Sequence, residues 1–119
     1  MHLYMALDIL ITAETLLTLE QFLDRMRPPK EQRHLLDLKY EIKNQSVFLL
    51  EVRPKPFNEQ EIMENPFAKI TWTKAHQVWK IYWLRANGNW DAYKPHPKES
   101  SLEAALHRID QDPHGYFFG

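Results

Sequence analysis

The sequence predicts an α+β domain, a five-stranded antiparallel meander with an N-terminal and a C-terminal helix packed on one face. Three observations carry this. Apolar residues recur at helical spacing in residues 12–26 and 102–109. They alternate at period two in residues 38–43, and β-rich runs follow at 47–52, 67–73, 78–85 and 90–94. Turn residues or prolines separate the runs. At 119 residues and 44% hydrophobic, the chain can bury its own core, so it is read as one domain over residues 1–119. Within it, residues 1–12 form an apolar extension and residues 113–119 an aromatic tail.

The opening MHLYMALDILI lacks a basic start and a small-residue cleavage site and contains Asp8, so a signal peptide is not expected. No apolar run approaches the ~18 residues of a membrane span. Met1, Leu3, Met5, Leu7, Ile9 and Ile11 alternate, while Ala6 and Leu10 also suit a helix, so strand and helix both stay open. So apolar a segment is expected to pack on its own domain or on a second copy of the chain.

From Thr12 as N-cap, Leu16, Leu19, Phe22, Leu23 and Met26 line one helix face, and Pro28 and Pro29 end it. Leu38, Tyr40 and Ile42 alternate with charged residues as a half-buried strand, Asn44 and Gln45 turn the chain, and residues 47–52 return antiparallel. Pro54 and Pro56 are expected to stop that strand, with a loop through residues 58–65. Strands at 67–73 and 78–85 follow. Asn87-Gly88 then favours a tight type I′ turn into a strand at 90–94. Ser100 with Glu103 makes a capping box for a last helix, whose Leu102, Ala105, Leu106 and Ile109 share a face. Asp112-Pro113-His114-Gly115 is expected to turn Tyr116, Phe117 and Phe118 back over the core.

A turn on Asn87-Gly88 sets Trp83 against Ala92, Tyr82 against Tyr93 and Arg85 against Trp90. A connection at residues 74–77 pairs Trp72 with Trp79 and Ile70 with Ile81. All four tryptophans then share the core face with Ala68, Ile70 and Ile81. The other face carries Lys69, Thr71, Lys80, Tyr82, Asp91 and Tyr93. Lys69, Lys80, Tyr82 and Tyr93 are the candidate binding residues, since rings stack on bases and cations meet phosphates. The same residues also suit the solvent side of any sheet.

Fifteen Lys and Arg against sixteen Asp and Glu give a net charge of -1, so nucleic-acid binding would have to be local, and membrane binding is not expected. The absence of cysteine excludes disulfides, thiolate nucleophiles and cysteine-held metals, and it suits a cytoplasmic protein. His107, Asp110, Asp112 and His114 lie at spacings compatible with a carboxylate-imidazole cluster, but no HExxH-like motif accompanies them, and neither metal nor cofactor is expected. Glu51 shares the Leu38 face and needs a partner there; Arg53, Arg85 and His114 complete a candidate polar cluster, for which an ordinary salt bridge is the competing account. Two functions remain. One is a non-enzymatic binding or assembly module, using the sheet face or the N-terminal segment with a protein partner or a second copy. The other is a small nucleic-acid-binding or RNA-cleaving protein, a layout shared with compact messenger-RNA-cleaving toxins by fold analogy alone.

The run WKIYWLRANGNWDAY (residues 79–93), the ending SLEAALHRIDQDPHGYFFG (101–119), EVRP (51–54) and NPFAKITW (65–72) resemble an uncharacterised bacterial family, domain-of-unknown-function family 3024. The resemblance spans roughly residues 14–119 and implies no activity, substrate or cofactor. The apolar residues 1–12 and a loop at 58–64 without a tryptophan depart from it.

Overall fold

Alternation in the sequence becomes a sheet with one apolar side, and the two amphipathic helices cover that side. The computed structural model describes residues 9–118, with side chains from Ile11 onward. In chain order these are α1 (Ile9–Met26), a 3-10 turn (Lys30–Gln32), β1 (Asp37–Lys43), β2 (Ser46–Lys55), β3 (Asn58–Thr73), β4 (Val78–Leu84), β5 (Trp90–Ala92), β6 (Lys98–Glu99) and α2 (Leu102–Gln111). The antiparallel order is β1-β2-β3-β4-β5, and the short β6 shares the outer edge of β4 with β5. The core joins Leu19, Phe22 and Leu23 of α1, Val47, Leu49, Ala68, Ile70, Trp79 and Ile81 of the sheet, and Leu102, Ala105, Leu106 and Ile109 of α2. No helix among the described residues is long and apolar enough to cross a membrane.

Helix α1 begins at Ile9, so Thr12 lies within it instead of capping it. Residues 9–12 are therefore helical, Ile11 packs against the core, and the rest of the apolar extension lies outside the described residues. For α2 the cap is Ser101, not Ser100: its hydroxyl accepts the Ala104 N–H at 3.1 Å, satisfying one donor of the first turn. Two links tie α1 to β1. Tyr40 Oη donates to Glu20 at 3.2 Å, and Arg27 grips Asp37 through both carboxylate oxygens at 2.8 and 2.7 Å.

The Arg27 guanidinium, helped by the Leu38 N–H, holds the Asp37 carboxyl below the usual aspartate range. A carboxylate with a depressed folded pKa contributes stability that is complete above the unfolded value and is lost as pH falls through the folded one. Stability should therefore drop on acidification below the ordinary aspartate range. Asp37→Asn should flatten that limb in urea melts across pH; an unchanged limb would show that the pair does not contribute.

The expected loop at residues 58–65 is instead the first half of β3, and β2 runs on past Pro54 to Lys55. Proline is tolerated in a strand where its missing N–H would point off the ladder. Pro54 meets that condition: Arg53 and Met63 face each other across the hairpin, and Pro54 takes the alternate, outward phase. The Asn87-Gly88 turn also differs. Gly88 alone has a positive φ, 87°, its N–H donates to Arg85 O at 2.9 Å, and Arg85 N–H donates to Asn89 O at 2.8 Å. This is a three-residue loop with glycine in the left-handed position, not a two-residue type I′ turn. It sets Leu84 opposite Trp90 and Tyr82 opposite Ala92. The slip of one residue turns Trp90 out of the core face and Tyr93 into it.

The tail docks as expected, with Gly115 at φ 70°. Tyr116 meets the edges of Trp83 and Tyr93 at 4.8 and 5.1 Å, Phe117 is buried against Tyr93, and Phe118 lies on Phe67 at 5.2 Å. Asp112 anchors this return. It caps α2 in a left-handed conformation, and its carboxylate accepts the Phe117 and Phe118 N–H groups at 3.1 and 2.7 Å.

Candidate functional site: the helix-free face of the sheet

On the face away from the helices, Lys69 in the second half of β3 has Phe48 of β2 and Tyr82 of β4 as cross-strand neighbours. Its ammonium lies 4.7 Å from the Tyr82 ring centre and 5.5 Å from that of Trp90. Phe48 meets Trp90 edge to face at 5.9 Å, and the Lys43 ammonium stands 5.9 Å from the Phe48 ring. Leu50, in the same phase of β2, is buried here, outside the main core. Three half-buried rings and an aliphatic floor thus form an apolar centre held open by lysine.

Around this centre the charge is one-sided. Strand phase puts Lys39, Lys43, Lys69, Lys80 and Lys98 on this face with Asp37, Glu41 and Glu64 as its carboxylates, and Asp37 is taken by Arg27. Glu64 is taken by Lys39 at 2.7 Å, while Glu41 sits at 3.9 Å from both Lys39 and Lys43. Lys80 and Lys98 are directly opposed on β4 and β6, an arrangement that costs stability in the absence of a counter-charge. Ser46 and Thr71 add a pair of hydroxyls 2.7 Å apart between Lys43 and Lys80. A chain of net charge -1 therefore concentrates positive charge on one side.

Of the four binding candidates, Lys69, Lys80 and Tyr82 are on this face and Tyr93 is not. Tyr93 is 1% exposed and belongs to the core; burial, followed by the nearby Asp112, pushes its phenol above the ordinary tyrosine range. Ala92 stands opposite Tyr82, and Trp90, opposite Leu84, supplies the second ring beside Lys69. The candidate list lacks Phe48, Lys39, Lys43 and Lys98, although the phase of residues 47–52 against Leu38, Tyr40 and Ile42 suffices to find Phe48.

The polar candidates are divided. Glu51 does share the Leu38 face, and Arg53 reaches it at 3.3 Å. Arg85 pairs with Asp91 at 3.5 Å, and the His114 ring lies 6.3 Å from Tyr116 in the tail. His107 and Asp110 line a hollow with Arg25 on the helix side, and Asp112 is committed to the tail amides. A separate cleft of about 370 Å³ opens between α1 and the start of α2, lined by Thr15, Trp72 and Ser101, and contains none of the candidates.

The profile of the family described as domain of unknown function DUF3024 matches residues 9–119. No curated protein and no solved structure matches the chain.

Proposed function

The chain belongs to the DUF3024 family, and we propose that it is a non-enzymatic binding module whose helix-free sheet face takes an extended polyanion of the single-stranded nucleic-acid type. The observation that carries this reading is Lys69, set between Tyr82 and Trp90 at the centre of a face rimmed by further lysines. Such a surface offers rings to bases and ammoniums to phosphates at the spacing of adjacent strands. A near-neutral net charge requires any such binding to be local, and the lysines on this face supply that locality. A cytoplasmic location, suggested by the absence of cysteine, belongs to the same reading.

Titration with a single-stranded RNA oligonucleotide, read by tryptophan fluorescence, tests it. Affinity should fall steeply with salt as counterion release weakens. Tyr82→Ala should cost about 1–3 kcal/mol of binding with the fold retained. Chemical-shift changes confined to the helix side, or none at all, would remove the proposal.

A further inference from the structure

The distal half of the β2–β3 hairpin leaves the body of the sheet. β1 accompanies β2 only as far as Val52, and β4 accompanies β3 only from Ala68, so residues 53–63 stand as a two-stranded arm. Its tip is tied by Lys55 and Asn58, both bonded to Glu61 at 2.7 and 2.8 Å. Phe57 at the tip is fully exposed, and Ile62 on the arm is 59% exposed.

The outer edge of this arm has a defined phase. Trp72 donates its N–H to Gln45 O, so Ile70 and Ala68, in the same phase of β3, turn their backbone groups toward β2. The register shift between Ala68 and Pro66 reverses the phase. Asn65 and Met63 then face β2, while Ile62 and Glu64 turn their N–H and C=O outward. Pro66, lacking an N–H, closes the edge at its inner end. Among the described residues no strand pairs with this edge.

We infer that this edge is an interface with a second copy of the chain, formed by antiparallel pairing of β3 about a two-fold axis at Ile62. In that register Ile62 exchanges backbone hydrogen bonds with the partner subunit's Ile62, and Glu64 lies opposite the partner subunit's Gln60. Glu61 meets the partner subunit's Met63, and Glu59 meets the partner subunit's Asn65. No carboxylate faces another. Neighbouring registers are worse: centring on Glu61 or Glu64 opposes identical carboxylates, and centring on Gln60 sets Glu59 against Glu61. Centring on Met63 brings Pro66, which cannot donate, one residue nearer the axis, opposite Gln60, whereas the Ile62 register leaves it opposite Asn58 at the outermost pair. The vacant edge lies on the side of β3 that β4 occupies further along, so each arm fills the notch beside the other's β4. A two-fold axis normal to the sheet keeps both helix-free faces on one side, whatever that face binds.

Sedimentation of the full chain over a dilution series tests the interface. The wild type should approach twice the 14.3 kDa chain mass. Ile62→Glu and Ile62→Lys should each sediment at the single-chain mass with the wild-type circular-dichroism spectrum, since the site is largely exposed in the single chain. An equimolar mixture of the two variants should recover the doubled mass, because only a residue that faces its own copy is rescued by opposite charge. A wild type that stays at the single-chain mass, a single variant that still doubles, or a mixture that fails to reassociate would each overturn the inference.

Discussion

Trp79→Ala should lower the unfolding free energy by about 3–5 kcal/mol, measured by urea denaturation. Trp79 is 4% exposed and lies 5.3 Å from Trp72 on the core face, where α2 packs on the sheet. Truncation there removes one of the largest apolar surfaces of the core and leaves a cavity that rigid strands cannot close. Trp90→Ala is the informative companion. Trp90 is half-buried against Phe48 and Lys69 on the helix-free face, so its loss should cost clearly less than that of Trp79. Equal losses would mean that both sides of the sheet are cores of similar quality.

Truncation after Gly115 should cost roughly 3–5 kcal/mol, since it removes Phe117 and Tyr116 together with their edge contacts to Trp83 and Tyr93. Asp112→Ala probes the same return without removing a ring. It leaves the Phe117 and Phe118 N–H groups without their acceptor and should cost about 1–3 kcal/mol. Amide hydrogen exchange checks the mechanism directly: the Phe117 and Phe118 amides should be protected in the wild type and exchange faster in Asp112→Ala. Free-peptide rates in the wild type would show an undocked tail, and the three aromatics would then be better read as a partner motif.

Local pattern alone determined the elements that repeat: the apolar stripe from Leu19 to Met26, the alternation of Leu38, Tyr40 and Ile42, the pairing of Trp72 with Trp79 across a short turn, and the face of α2. In each, period and turn residues agree, and the core needs no further information. Leu16, expected on the α1 stripe, is 40% exposed, and Thr15 is buried in its stead. The positions of Lys69, Lys80 and Tyr82 on one face followed from the same alternation. What only the tertiary structure decided were the matters of phase. Whether Asn87-Gly88 closed a two-residue or a three-residue loop moved Trp90 and Tyr93 to opposite faces, because a strand has a period of two and a single residue inverts it. Whether Pro54 ended a strand depended on which way its missing donor pointed, and that is set by the partner strand, not by proline. The salt-bridge choices followed from these placements: Arg85 met Asp91 and Arg53 met Glu51, because an ion pair forms between whichever charges the register brings within reach.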